Sequence, residues 1–164
     1  MTIGAGVVAA VSVLLVAAVI VVRRAPDEPA RWHEEPVTAT VSDRSNWYRL
    51  TPADSPVGHE AKQEGASPQY DVPVDRLATV FDEVAMADER VHRLAGSPDE
   101  RFVTYVQRSA VVGFPDYLSV RFLEVGDGGS TLAVYSRARY GYGDGGVNAA
   151  RVQRWVEQTT QRLR

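Results

Sequence analysis

A glycine-rich turn separates the last predicted strand of this chain from its last predicted helix. Gly141 to Gly146 reads Gly-Tyr-Gly-Asp-Gly-Gly and satisfies the G-x-G-x-x-G pattern of dinucleotide-binding folds. That fold also needs a following parallel strand and an acidic residue about 20 positions further on. Residues 147–164 instead hold one amphipathic pattern, and no Gly-Lys-Ser or Gly-Lys-Thr follows the turn. We therefore expect neither a dinucleotide-binding fold nor a P-loop, but a small sheet covered by a helix.

Hydrophobic periodicity predicts the elements of that domain. Apolar residues at three- and four-residue spacing predict helices over residues 74–87 and 148–163. Strands are predicted by β-branched residues, aromatic residues or period-two alternation over residues 90–94, 102–107, 118–122 and 131–139. The pattern predicts an α+β fold, a small two-layer domain over residues 68–164. Its antiparallel sheet of three or four strands would be covered by an N-terminal and a C-terminal helix.

The last strand shows which side chains share a face. Alternate residues of a strand point to opposite sides of the sheet. Leu132, Val134, Ser136 and Ala138 are predicted on the apolar face, and Ala133, Tyr135, Arg137 and Arg139 on the other.

An uncharged apolar run, Ile3 to Val22, precedes the domain. As a helix it spans about 30 Å, the thickness of the hydrocarbon core of a bilayer. A cleaved signal peptide fits poorly, because no basic residue precedes the run and no Ala-x-Ala site closes it. We predict a single-pass transmembrane anchor over residues 1–24, in the cell (inner) membrane. Arg23 and Arg24 favour a cytoplasmic domain by the positive-inside rule, with the periplasmic side as the open alternative.

Prolines and small polar residues recur through residues 25–67, where neither a helical nor a strand period persists. This composition predicts a Pro-rich linker or arm. Trp32 and the segment Asn46-Trp47-Tyr48 are too bulky for a featureless tether. We expect them to pack on the domain or to lie near the membrane interface.

Composition excludes several functional classes. The chain has no cysteine, so disulfides, thiolate catalysis and cysteine zinc sites are excluded. A net charge of -3 argues against a nucleic-acid partner. The histidines lack metal-ligand spacing, and no serine sits in a Gly-x-Ser-x-Gly elbow, so we predict no metal, no cofactor and no hydrolase triad.

Two polar segments are candidates for a site. Around the glycine-rich turn, Arg139, Tyr142, Asp144, Asn148 and Arg151 lie close together in sequence. Guanidinium groups and helix-start amides can hold an anion, but the same residues can equally form a turn that caps its own helix.

The second segment connects two strands and runs from Arg108 to Tyr117. Val111, Val112, Phe114 and Pro115 can form a lip over a pocket or touch lipid. The alternative is that the connection packs on the sheet edge, with Asp116 accepting hydrogen bonds from Arg108 or from a backbone turn.

In their order, these two segments resemble a bacterial and plastid family, the domain of unknown function 1499. The family pattern begins with an Arg-Ser pair and Gly-Phe-x-Asp, matched here by Arg108, Ser109, Gly113, Phe114 and Asp116. The second part is matched by Ser136, Arg139, Gly141, Tyr142, Asp144, Gly146, Asn148 and Arg151. Tyr117 and Tyr135 depart from it, replacing an Asp and an Arg. The resemblance covers roughly residues 70–164 and implies association with the cell envelope.

Three functions follow as hypotheses. The leading one is a membrane-anchored, non-enzymatic module that binds a small anionic or polar ligand, or a membrane-protein partner, through Arg108, Asp116 and the residues of the turn. The second is a small enzyme using Asp116 or Asp144 as general base, since carboxylates beside arginines can have tuned pKa values. The third is a scaffold in the cell envelope. Oligomeric state is left open by the sequence.

Overall fold

The computed structural model describes residues 3–56 and 61–164, so residues 1, 2 and 57–60 of the predicted anchor and linker lie outside the described residues. The helices are α1 (Ile3–Arg23), α2 (Pro29–Trp32), α3 (Val74–Ala87) and α4 (Val147–Leu163). The strands are β1 (Trp47–Thr51), β2 (Glu64–Ala66), β3 (Gln69–Tyr70), β4 (Val91–Ser97), β5 (Phe102–Arg108), β6 (Pro115–Val125) and β7 (Gly129–Ala138).

The strands form one mostly antiparallel sheet in the order β2-β1-β7-β6-β5-β4, with β3 also pairing with β7. The β1–β2 pair is parallel. The α+β class is confirmed, but the predicted three or four strands were too few, because the sheet formed by the described residues has 7. The extra strands come from residues 47–70. Every residue of β1 is buried, so it shows no alternation, while β2 and β3 are only 3 and 2 residues long.

Helices α3 and α4 cover one face of the sheet, as predicted. Their apolar stripes meet the inward side chains of the strands, with Phe81 and Trp155 packed edge-on at a ring-centroid distance of 6.1 Å. Leu132 and Val134 belong to this core, whereas Tyr135 lies in a separate cluster with Trp47. The predicted alternation along β7 is therefore confirmed.

The other face of the sheet is covered by the part of the chain that precedes β1. The domain therefore has a third, irregular layer in addition to the two predicted ones. Trp32 of α2 stacks on Tyr117 with ring centroids 3.9 Å apart, and Trp47 packs against Tyr135. Both tryptophans are buried, which confirms the expected packing of this segment on the domain. Large aromatic surfaces of the sheet need such cover, because an antiparallel sheet exposes on its free face whatever its strands place there.

Helix α1 meets the domain at its C-terminal end. The Arg23 guanidinium donates to the Val111 carbonyl at 2.7 Å, and Arg108 donates to the carbonyls of Val22 and Ala25 at 3.4 and 3.2 Å. Among the residues that the structure describes, no helix is long and apolar enough to cross a membrane. The anchor over Ile3 to Val22 stays a prediction.

Candidate functional site

A cavity of about 410 Å³ lies where β5 ends, β6 begins and α4 starts. Pairing of β5 with β6 sets Gln107 opposite Asp116, and pairing of β6 with β7 sets Asp116 opposite Ala138. The loop over residues 109–114 and the glycine-rich turn complete the wall. The charged lining side chains are Arg90, Arg108, Asp116, Asp144 and Arg151. Phe114, Tyr140 and Val147 add apolar surface.

Four of the seven predicted site residues therefore line one cavity: Arg108, Asp116, Asp144 and Arg151. Asn148 is completely buried and supports two of them from beneath. Tyr142 is 73% exposed on the turn. Arg139 extends to the opposite face of the sheet, where its Nη1 donates to the Pro26 carbonyl at 2.8 Å and to the Tyr117 hydroxyl at 3.3 Å.

Arg151 ties α4 to the sheet. Its Nη2 pairs with Asp116 Oδ2 at 2.6 Å, its Nη1 donates to Asn148 Oδ1 at 3.1 Å, and its Nε donates to Gln107. With side-chain exposures of 5% for Arg151 and 15% for Asp116, the pair is largely shielded from water. All three guanidinium nitrogens are engaged, so Arg151 positions Asp116 and has little capacity left for a ligand.

The start of α4 is capped by the chain itself. Asp144 accepts hydrogen bonds from the backbone N–H groups of Gly146 and Asn148, both at 2.9 Å, and from the Asn148 side chain at 2.8 Å. Gly146 adopts φ 84, a left-handed conformation that suits glycine. Of the two interpretations of this turn, the geometry favours capping, because the amides that could hold an anion already bind a carboxylate.

The two carboxyl groups of the cavity have opposite electrostatic environments. Burial raises the pKa of Asp116, and the nearby charge of Asp144 adds to the rise, while Arg151 opposes it. Burial also acts to raise the pKa of Asp144, but the hydrogen bonds from Asn148 and Gly146 outweigh it and lower that pKa below its ordinary value. The surroundings of the two acids therefore shift their pKa values in opposite directions.

The 109–114 loop forms a lip, one of the two arrangements that the sequence left open, but Pro115, which was expected in that lip, is buried as the first residue of β6. Ser109 Oγ accepts from the N–H groups of Gly113 and Phe114 at 3.1 and 2.9 Å, which closes the loop. Val111 is 80% exposed and Phe114 42% exposed, and Phe114 packs against Tyr140 with ring centroids 5.7 Å apart.

One alternative expected Arg108 to donate to Asp116, but the structure shows no such contact. Its Nη2 pairs with Asp27 at 2.8 Å, and its Nη1 donates to the Gly113 carbonyl at 3.1 Å. Arg108 thus connects the lip to the chain that follows α1.

Sequence reasoning missed Arg90, Gln107 and Tyr140. Arg90 reaches the cavity because its carbonyl accepts from the Arg108 N–H at 3.3 Å, beside the β4–β5 pair. That strand register had no signal in the sequence. Gln107 and Tyr140 each adjoin a predicted site residue and were detectable as neighbours. Within residues 3–56 and 61–164, no group of three or more His, Asp or Glu side chains is arranged to hold a metal ion.

Comparison with known proteins gives one match. The sequence model of a family described as "Protein of unknown function (DUF1499)" matches residues 33–158. No curated protein and no solved structure matches the chain. The match begins well before residue 70, where the sequence resemblance was placed, and so it includes β1, β2 and most of the chain that covers the second face of the sheet. Because the matched region is more than half of the chain, this protein belongs to the DUF1499 family.

Proposed function

We propose that this protein is a membrane-anchored, non-enzymatic module that binds a small amphiphile with an anionic head in the cavity beside α4. The observation that carries the proposal is the cavity itself, in which arginines and exposed aromatic side chains face one space. Its volume of about 410 Å³ is within the range of roughly 300–1,000 Å³ typical of small-molecule sites.

The charges of the cavity favour an anionic head near Arg90. Arg151 is neutralised by Asp116 and Arg108 by Asp27, both in partly or largely buried pairs. Arg90 pairs with Glu89, but both side chains are well exposed, at 46% and 79%, so their attraction is weak. Arg90 is therefore the lining cation most able to exchange its partner for a carboxylate or phosphate.

Apolar surface at the cavity mouth favours a ligand that also has a hydrocarbon part. Phe114 and Tyr140 face the cavity, and Val111 stands exposed beside them on the lip. Arg23 at the end of α1 holds that lip, and apolar side chains of α1 such as Leu14 are exposed. A bilayer would cover those side chains and would place the lip at its surface, with the domain on the cytoplasmic side by the positive-inside rule.

Binding is tested with the full chain in lipid nanodiscs, titrated with octanoate and, as an uncharged match, octanol. We expect R90Q to weaken octanoate binding by about tenfold, the order for one hydrogen bond to a charged group, and to leave octanol unchanged. F114S should weaken both. R76Q and M86S, which remove an exposed arginine and an exposed apolar side chain from α3, are matched controls. Equal octanoate affinity for the wild type and R90Q would contradict a site for an anionic head.

One observation favours a second function, catalysis by the Asp116–Asp144 pair. Carboxyl groups whose environments push their pKa values apart are the usual arrangement of an acid and a base at one site. Hydrolysis of nitrophenyl esters and phosphates by the full chain, lost in D116N while octanoate binding persists, would support the enzyme. Rates equal to those without protein would support the binding module.

A further inference from the structure

A second cavity lies on the opposite side of the end of β7, under the chain that precedes β1. Its volume is about 490 Å³. Tyr135 and Arg137 of β7, together with Trp32, form its inner wall. The exposed residues 42–44, which belong to neither a helix nor a strand, contribute to its outer wall.

Two side chains of the inner wall each carry a buried hydrogen-bond donor without an acceptor. Trp32 Nε1 and Arg137 Nη1 have no hydrogen-bond partner among the described residues. Their residues are 8% and 7% exposed. Indole and guanidinium nitrogens can only donate, so neither can satisfy the other. Buried donors without acceptors are rare in native proteins, and two of them on side chains that line one cavity indicate a missing acceptor.

Packing holds both donors in place. The Trp32 ring is stacked on Tyr117, and the Trp32 carbonyl accepts from Arg137 Nη2 at 3.1 Å. The Arg137 guanidinium also stacks on the Tyr135 ring, 4.6 Å from its centroid. An acceptor that enters the cavity would therefore meet a preformed pair of donors, with little ordering of side chains left to complete.

Charge favours an anion over a neutral acceptor. Arg137 Nη2 pairs with Glu34 at 3.0 Å, but the Glu34 side chain is 43% exposed, so this partner is partly screened by solvent. Burial lowers the pKa of Arg137, and Glu34 opposes that shift. Arg31 and Arg44 line the same cavity, against Glu34 and Asp43. The lining is thus positive by one charge, and a buried guanidinium gains most from an ionised partner.

We propose that this cavity binds a small oxyanion, a carboxylate or a phosphate group, through Trp32 Nε1 and Arg137 Nη1. Two oxygens of such a group accept one hydrogen bond from each donor, and residues 42–44 shift outwards to admit it. The site is separate from the cavity beside α4, because it is formed on the face of the sheet that α3 and α4 leave uncovered.

The indole N–H resonances report on this site directly. We propose titrating the full ¹⁵N-labelled chain in detergent micelles with inorganic phosphate and, separately, with acetate, against chloride at matched ionic strength. Trp155 Nε1 already donates to Asp88 at 2.8 Å and serves as the internal control. We expect saturable movement of the Trp32 resonance with at least one oxyanion. Movement with only one of them identifies the group as a phosphate or a carboxylate.

Two variants test the donors separately by calorimetry. W32F keeps an aromatic ring on Tyr117 but removes the indole N–H, and R137K keeps the charge but removes Nη1. Each should lower oxyanion affinity by about tenfold, as expected for one hydrogen bond involving a charged group. R154K, at an arginine paired with Asp88, is the matched control. The proposal would be overturned if the chemical shift of the Trp32 indole N–H did not change with either oxyanion, or changed only together with that of Trp155. Either result would show that water alone satisfies these donors.

Discussion

Replacing Arg151 with methionine tests how the cavity beside α4 is held together. Methionine keeps an unbranched, apolar side chain of similar length in a nearly buried position, but it removes every donor. Asp116 then loses its ion-pair partner while its side chain stays only 15% exposed. Breaking a buried pair on one side costs about 3–5 kcal/mol, because the remaining charge is left without a partner. Because the free energy of unfolding of a domain is only about 5–15 kcal/mol, R151M should lose a large fraction of it.

The loss should depend on pH in a definite direction. Burial already raises the pKa of Asp116 in the folded protein, and removing Arg151 removes the group that opposes this rise. The folded state of R151M then binds a proton more tightly than the unfolded state, so its stability falls as pH rises through the Asp range. The loss of stability of R151M relative to the wild type should be small in acid and largest at neutral pH. In R151M/D116N this pH dependence should disappear, and the total loss should be smaller than the sum of the single losses.

Urea unfolding of the full chain in detergent micelles, followed by circular dichroism at several pH values, measures these changes. R154M is the matched control, because Arg154 pairs with Asp88 at the surface with 47% of its side chain exposed. Its loss should be at most about 1 kcal/mol. If R151M were no less stable than R154M, or if its deficit did not grow with pH, the assigned role of the Arg151–Asp116 pair would be refuted.

Three further predictions concern the turn, the backbone and the membrane. D144N should reduce the loss of stability in acid, because the lowered pKa of Asp144 contributes stability that disappears as pH falls through its folded value. An equal loss in acid for D144N and the wild type would contradict this. G96A should lower the melting temperature far more than G126A does. Both glycines have positive φ, but an added Cβ at Gly96 would lie 1.9 Å from the Phe102 carbonyl oxygen, whereas Gly126 has open space around it. Similar melting temperatures for the two variants would contradict this. A C-terminal alkaline phosphatase fusion should be inactive and a green fluorescent protein fusion bright, and the reverse pattern would place the domain in the periplasm.

The two covering helices were predictable because each buries one face only, and β7 was predictable because its two faces carry different residue types although both are buried. The spacing of Leu77, Phe81 and Val84 predicted α3 with the bounds that the structure shows. The alternation of β7 predicted the side of every residue along it. In the helices this period persists because burial of a single face selects apolar residues at the period of the element.

Strand β1 had no such pattern. It lies inside the sheet, between β2 and β7, with the helix layer on one face and Ala39 and Val41 packed around Trp47 on the other. Its sequence, Trp-Tyr-Arg-Leu-Thr, includes Arg49, which is buried because it pairs with Glu64 of the neighbouring strand. A charged residue next to prolines reads as linker unless its partner is known, and that partner becomes visible only in the folded chain.

The candidate site was predictable in part for a similar reason. Asp144 and Asn148 are 4 residues apart at the start of α4, so their contact follows from local spacing. Arg151 meets Asp116 only because β6 and β7 pair in one register. Arg139 is separated from the cavity by the alternation of β7, which already placed Ala138 and Arg139 on different faces. Proximity in sequence grouped the predicted site residues, but the alternation of the strand places Arg139 on the face of the sheet opposite the cavity.

The central place of β1 decides where this domain can be shortened. A chain beginning at residue 68 would keep both covering helices, yet it would leave β7 unpaired over Val134–Arg137, where β1 now binds. A long edge of this kind offers free backbone N–H and C=O groups to strands of other copies. The aromatic surface around Tyr117 would at the same time lose the Trp32 ring of α2 that covers it. Such a fragment should self-associate, so residues 29–51 belong to the smallest unit that keeps this edge paired and this surface covered.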